Sequence, residues 1–275
     1  PNVVGQANAT SAGWGNLGGG VTQFVMPLLF SVMVIGFGFS EAVGWRLAMV
    51  VVGIIIFLVG IAYYFLTQDA PDGNFDDLRA QGRMIEKKNV NKNYTQALRD
   101  PRVWVLFVIY GASFGIELTV NNVAALYFID YFDLTLVTAG LVAASFGLMN
   151  LFARTLGGIF GDNFGALWGL RGRSFWLFIC LLFEGIALMI FSQMQVLFLA
   201  IPSLIVFSLF TQMAEGATYS VVPFINKKAL GAVAGVVGAG GNAGAVLAGF
   251  LFKNMIDWSE AFFILGIVVT CASFL

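Results

Sequence analysis

The sequence predicts an all-α protein built into a membrane, and three observations predict it. Hydrophobic residues make up 59% of the chain and charged residues only 11%, whereas soluble domains carry about a quarter charged residues. Mean hydropathy is +0.87, which leaves more apolar surface than a soluble protein of 29.6 kDa can hide. The apolar residues also arrive in blocks of roughly 17 to 28, the length that crosses a hydrocarbon core of about 30 Å. Backbone polar groups in lipid must be satisfied within the element, so each block is expected to be a helix.

Eight blocks are expected: residues 12–39, 47–66, 103–129, 137–161, 175–191, 196–224, 230–252, and 261 to the end. The first is glycine-rich, and the 33 glycines of the chain suit close helix packing in lipid. Between the second and third blocks lies a polar stretch, residues 67–102. There Asp69, Asp72, Asp76, Asp77 and Glu86 mix with basic residues, with almost no apolar periodicity. It is longer than an ordinary loop. A linker between two helical bundles explains it; a small regulatory domain, the competing reading, would lack the apolar residues for a core. The chain opens on Pro1 and stops inside an apolar run, so an internal piece of a longer protein is expected.

Charge gives an orientation. With the amino terminus and the polar stretch in the cytoplasm, that side holds Arg79, Arg83, Lys87, Lys88, Lys92, Arg99, Arg102, Arg171, Arg173, Lys227 and Lys228. The other side holds Arg46 and Lys253. Eleven against two is a strong positive-inside signal. A net charge of -1 gives no reason to expect a nucleic-acid partner. Cys180 and Cys271 sit in apolar stretches and are expected to pack, not to form a disulfide. Histidine is absent, which removes the usual metal ligand, acid–base catalyst and proton relay. With no metal set and no nucleophile beside a positioned base, neither an enzyme nor a cofactor is expected.

A repeat organises the blocks. The first carries Gly13-Trp14-Gly15-Asn16-Leu17-Gly18-Gly19-Gly20 and the seventh Gly238-Ala239-Gly240-Gly241-Asn242-Ala243-Gly244-Ala245. Aligning Asn16 with Asn242 also aligns Gly15 with Gly241 and Gly18 with Gly244. The copies are six helices apart and run in the same direction, which is the parallel two-halves pattern of major-facilitator transporters. The expected fold is therefore a partial major facilitator fold, about eight of twelve transmembrane helices. Residues 1–66 would be the last two helices of an N-terminal bundle, 67–102 the cytoplasmic linker, and 103–275 a C-terminal bundle. Glycines three or four apart let another backbone approach. A buried asparagine among them either bonds between helices or contacts a ligand, and the repeat leaves both readings open.

Charges inside the blocks carry the chemistry. Arg154 lies about seven residues before the cytoplasmic end of its block. An arginine at a helix centre costs about 2.5 to 3.5 kcal/mol on insertion scales. One reading pairs it with a buried acid such as Glu117 or Glu215. The other makes it an anion site on a central cavity, where its planar fork of five donors matches a flat oxyanion better than a lysine would. Tyr110, Phe114, Phe146, Phe152 and Tyr219 are candidates to stack on such an anion. Glu117, Glu184 and Glu215 also fall in apolar blocks. Glu117, next to Thr119, Asn121 and Asn122, is the first candidate for proton coupling; an ion pair that holds two helices together is the alternative. Near the cytoplasmic surface Asp162 is followed by Arg171 and Arg173. Such a set can form a latch with a neighbouring helix, made in one state and broken in another.

Several of these runs resemble a known family. The segment from Gly157 to Gly165 with Arg171 and Arg173 resembles the major-facilitator loop signature, with a longer insert before the basic residues. The two glycine runs, the first continuing to Met26-Pro27, look like the paired signatures of the nitrate/nitrite porter family. Ala153-Arg154-Thr155-Leu156-Gly157-Gly158 looks like the eighth helix of those proteins. Asn121-Asn122-Val123-Ala124 and Val222-Pro223-Phe224 are similar in style to the eukaryotic high-affinity nitrate transporters.

The resemblance implies a multi-pass plasma-membrane protein that imports nitrate, and often nitrite, with symported protons by alternating access. It implies a clamp of two arginines, of which Arg154 matches the one from the eighth helix. It places Asn16 and Asn242 along the pathway, and it implies, for some plant members, a small single-span accessory membrane protein as partner. A carrier for another small solute is the rival; a sugar site would want buried amides and aromatic platforms and would not need Arg154. A non-transporting sensor is a further alternative, because a fold does not fix a function.

Overall fold

The computed structural model describes residues 3–83, 90–254 and 257–275. Glu86, Lys87 and Lys88 of the polar stretch lie outside the described residues, as does the side chain of Lys92. Apart from one bridge between Ala70 and Gly73, the regular structure of the described residues is helical. The helices are α1 (Val4–Asn16), α2 (Gly18–Ser31), α3 (Glu41–Leu66), α4 (Phe75–Ala80), α5 (Val90–Arg99) and α6 (Pro101–Phe132). They continue with α7 (Leu136–Leu148), α8 (Ala153–Trp168), α9 (Leu170–Ser192), α10 (Leu197–Ile225), α11 (Leu230–Asn254) and α12 (Trp258–Ala272).

Among the described residues seven stretches are long and apolar enough to cross a membrane. They are Val4–Gly36, Glu41–Leu66, Pro101–Phe132, Leu136–Trp168, Leu170–Ser192, Leu197–Ile225 and Lys227–Lys253, followed by the shorter apolar helix Trp258–Ala272. These correspond to the eight expected blocks, with the start of the first, the start of the second and the end of the fourth well displaced. The first helix starts at Val4, not near residue 12, because Gln6, Asn8, Thr10 and Ser11 lower its hydropathy while leaving its helical path intact.

Local chemistry sets several ends. Asp100 caps α6 by accepting from the Arg102 amide at 3.0 Å, and Pro101 fills the first helical position, where its missing N–H costs nothing. The neighbouring Arg102 side chain holds the Asp100 carboxyl below its ordinary range. Thr135 caps α7 through the Thr138 amide. Asp133, with φ of 52°, ends α6 in the left-handed conformation.

The described contacts form two units, residues 1–24 with 91–275, and residues 25–90. In the smaller one, a π-helical turn at Val32–Gly36 leads into α3, and Gly44 admits Val34 where a Cβ would sit 2.6 Å from its side chain. The flank of α3 exposes Ile54, Ile55, Ile56 and Phe57, as suits a helix apolar all round in hydrocarbon.

In the larger unit α1 lies against α8 and α10 through small residues. Gly5, Ala9 and Gly13 are buried on one face, four residues apart. A Cβ on Gly13 would meet the Asn150 carbonyl at 2.7 Å, so only glycine permits the approach. A second seam of bare backbone joins α6 to α11. A Cβ on Gly111 would lie 3.0 Å from the Gly240 carbonyl, and one on Gly115 would lie 2.8 Å from the Ala245 amide. Around these seams Phe128, Phe146, Phe191, Phe207 and Phe262 fill the core.

Candidate functional site

The helix that carries Arg154 is interrupted immediately before it. After α7 the backbone makes a 3-10 turn at Met149–Leu151, and Phe152 leaves helical geometry with φ of -134°. α8 then starts at Ala153. Arg154 is thus in the first turn of a half-helix within a membrane-length stretch, 1% exposed.

There it meets two acids. Its Nη2 donates to Glu117 Oε2 at 2.9 Å and also pairs with Glu215. Both glutamates are equally dry, at 1% and 0% exposure. Asn150, from the 3-10 turn, donates its Nδ2 to Glu117 Oε1 at 2.5 Å. Nη1 reaches the Ala12 carbonyl at 3.4 Å. Phe114 presents its ring 5.6 Å from the guanidinium carbon. Four elements therefore converge on one charge: α1 by a carbonyl, α6 by Glu117 and Phe114, the turn before α8 by Asn150, and α10 by Glu215.

Of the two sequence readings of Arg154, the ion pair is the one seen at this point. The salt bridge to a buried acid is present, and it involves both of the acids anticipated. Depth is present too, so the guanidinium does not escape to an aqueous surface. The cluster holds one cation against two carboxyl groups and is incompletely bonded. Among the described residues Arg154 Nε, Asn150 Oδ1 and the amide of Gln212 have no hydrogen-bond partner.

The aromatic candidates divide. Tyr110 is buried and stacks on Phe114, with ring centres 5.0 Å apart and planes 10° apart. Tyr219 meets Tyr110 edge-on at 5.2 Å. Phe146 packs on Phe207 in the core, and Phe152 is exposed, so neither joins the cluster.

The signature asparagines do not converge on Arg154. Asn242 is exposed and donates to the Gly238 carbonyl of its own helix at 3.3 Å. Asn16 is half-buried at the end of α1 and takes part in none of the described hydrogen bonds. Some glycines of the two runs pack closely, although Gly15 and Gly18 face open space. Gly20 lies on the backbone of Gly147 and Leu148, and Gly241 on Phe114 and Tyr110.

Farther along α8 a second ionic group closes. Asp162 Oδ1 accepts from Arg173 Nη1 at 2.5 Å and from the Gly5 amide at 3.0 Å, while Oδ2 accepts from the Gln6 amide at 2.8 Å. Those amides are free donors of the first turn of α1, where a carboxylate is also favoured by the helix dipole. Arg173 further donates to the Ser220 carbonyl at 3.2 Å and lies over the Phe224 ring at 4.5 Å. Arg171 is exposed and takes no part. Two residues apart on a helix point in nearly opposite directions, so of the expected basic pair only Arg173 meets Asp162. Missed altogether were Asn150, Gln212 and the amides of Gly5 and Gln6; backbone donors carry no sequence signal.

Membrane-length helices closing on a buried charge cluster, with a second buried Asp–Arg pair farther along α8, define a polytopic membrane protein. The chain belongs to the Major Facilitator Superfamily, whose family model matches residues 4–223. It is 43% identical over 250 residues to high affinity nitrate transporter 2.5 of Arabidopsis thaliana, covering 91% of this chain and 49% of that protein. It is 39% identical over 250 residues to high-affinity nitrate transporter 2.3 of Oryza sativa subsp. japonica, covering 90% and 48%. Nitrate transporter 2.2 of Chlamydomonas reinhardtii is 40% identical over 259 residues, covering 93% and 50%. The chain spans about half the length of these relatives.

Proposed function

We propose that the full-length protein is a secondary carrier that imports nitrate, and nitrite as a second substrate, by proton symport with alternating access. The observation that carries this reading is Arg154, a dry guanidinium on a half-helix with an aromatic ring beside it. The printed names of the relatives support the choice of anion. In such a protein residues 1–66 would close the N-terminal bundle, 67–102 would link, and 103–275 would belong to the C-terminal bundle. Tyr110 and Phe114 would offer a flat apolar face to the anion, and Asn16 and Asn242 would line its route.

Charge arithmetic supports coupling. An anion brought to Arg154 meets Glu117 and Glu215. At about 4 Å and an effective dielectric of 20, two like charges repel by about 4 kcal/mol, roughly a thousandfold in affinity. A proton on either carboxyl removes one of these repulsions and releases a guanidinium donor. Anion and proton therefore favour each other's binding, which is the thermodynamic content of symport. Asp162 and Arg173 would be the latch that holds one state.

The experiment is nitrate accumulation by the reconstituted full-length protein under an inward proton gradient, with nitrite and chloride as comparison anions. Nitrate and nitrite should accumulate, and collapsing the gradient should abolish accumulation. Nitrate uptake indifferent to the gradient would remove the coupling, and no nitrate uptake at all would remove the substrate.

A further inference from the structure

Glu184 is a carboxyl group that the cluster around Arg154 does not use. It lies on α9, 0% exposed, and among the described residues neither of its oxygens has a hydrogen-bond partner. Its neighbours explain why. Beside it on α10 is Thr211, whose hydroxyl already donates to the Phe207 carbonyl at 3.0 Å. Thr211 therefore offers Glu184 only lone pairs. A carboxylate facing a lone pair is repelled, whereas a carboxylic acid donates to it.

The same α10 carries a row of buried polar side chains: Ser208, Thr211, Gln212, Glu215 and Thr218, each 0% exposed. At 100° per residue they fall within one face of the helix. Gln212 and Thr211 precede Glu215 by three and four residues, the spacing that makes neighbours on a helix surface. Gln212 is unpartnered at both amide atoms among the described residues, so the row has spare donors and acceptors at its middle. Within this row Thr211 lies beside Glu184, and Glu215, one turn on, meets Arg154.

Among the described residues no cation pairs with Glu184. The titratable groups within its electrostatic reach are Cys180 on its own helix and Glu117 on α6. On α8, Arg154 is held by Glu117 and Glu215, and Asp162 by Arg173. On α12, Glu260 and Cys271 are exposed. Glu184 also sits in the half of α9 nearer the connection to α10, on the face that the basic residues leave opposite the cytoplasm. Glu215 sits in the half of α10 nearer the cytoplasmic face.

We propose that Glu184 is a proton-binding site that loads the Arg154 cluster from the outer side, through Thr211 and Gln212 to Glu215. In the transfer the O–H bond of Glu184 breaks and one forms on Glu215. The negative charge moves to Glu184, Glu215 releases the guanidinium to the anion, and a proton from the outer solution then restores the Glu184 acid. This rests on the proton-symport reading and names the residue that supplies the proton.

The test uses the reconstituted full-length protein and nitrate, comparing wild type with Glu184→Gln. Net uptake driven by an imposed pH gradient should fall at least tenfold. Exchange of internal for external nitrate with no gradient, which needs no new proton from outside, should stay within about twofold of wild type. Equal loss of both would make Glu184 a packing residue, and retention of both would make it idle; either overturns the inference. If the wild-type protein shows no gradient-driven uptake, the symport reading itself fails, and this inference with it. Should the variant not fold, infrared spectra of the wild-type protein decide. A buried protonated carboxyl band at the pH of transport supports the site, and its absence overturns it.

Discussion

At one end of α8, Arg154 faces two carboxyl groups and leaves its Nε without a partner among the described residues. Farther along the same helix, Asp162 receives three donors, and its partner Arg173 adds a carbonyl and an aromatic ring. Both groups are buried, and both are ionic. One sets two carboxyl groups against one cation and has unused polar atoms; the other leaves no fully buried side-chain polar atom unpartnered among the described residues. A completed group stabilises one arrangement and must be broken as a whole. An incomplete one can exchange a protein partner for a proton or an anion at low cost. Burial alone would not have separated them; counting partners does.

The comparison breaks first at Arg154. Lysine keeps the charge but loses the planar fork, so Arg154→Lys should lower nitrate affinity of the full-length protein on the order of a hundredfold. Near-wild-type affinity and rate would reject a bidentate anion contact. Asp162→Asn should act differently, on stability before affinity. It strands a buried Arg173, and removing one partner of a buried pair costs about 3–5 kcal/mol. Thermal unfolding should show the drop, with nitrate affinity within about threefold; an affinity loss matching that of Arg154→Lys would erase the difference between the two ionic groups. The smallest effect belongs to Arg171→Ala, an exposed residue outside the latch. Stability should stay within about 0.5 kcal/mol, and a larger change in unfolding or uptake would restore Arg171 to the latch.

Most of the fold was legible because hydropathy and block length report directly on membrane-spanning helices. The start of the first helix was not, since Gln6 to Ser11 read as polar although Gly5, Ala9 and Gly13 bury their face on α8. The break at Met149–Leu151 was hidden for another reason. No proline or glycine lies within it, and the turn is held by tertiary contacts such as Asn150 with Glu117. For the site, Arg154, Glu117 and Glu215 stood out because charge in an apolar block is conspicuous. Which acid paired with which base depended on helix rotation, and the sequence left that open. Asn16 and Asn242 were singled out by the repeat, yet close contacts in those runs are made by Gly13, Gly20, Gly241 and Gly244, while the aligned Gly15 and Gly18 face open space.

The backbone seam between α6 and α11 has a mechanical consequence. Where main chains touch at Gly111, Gly115, Gly240 and Gly244, no rotamer can swing aside to loosen the joint. The two helices thus behave as a single stiff strut. Any rocking of this unit must hinge at junctions padded by flexible side chains, and a methyl group added at Gly244 would jam the strut without touching a charge.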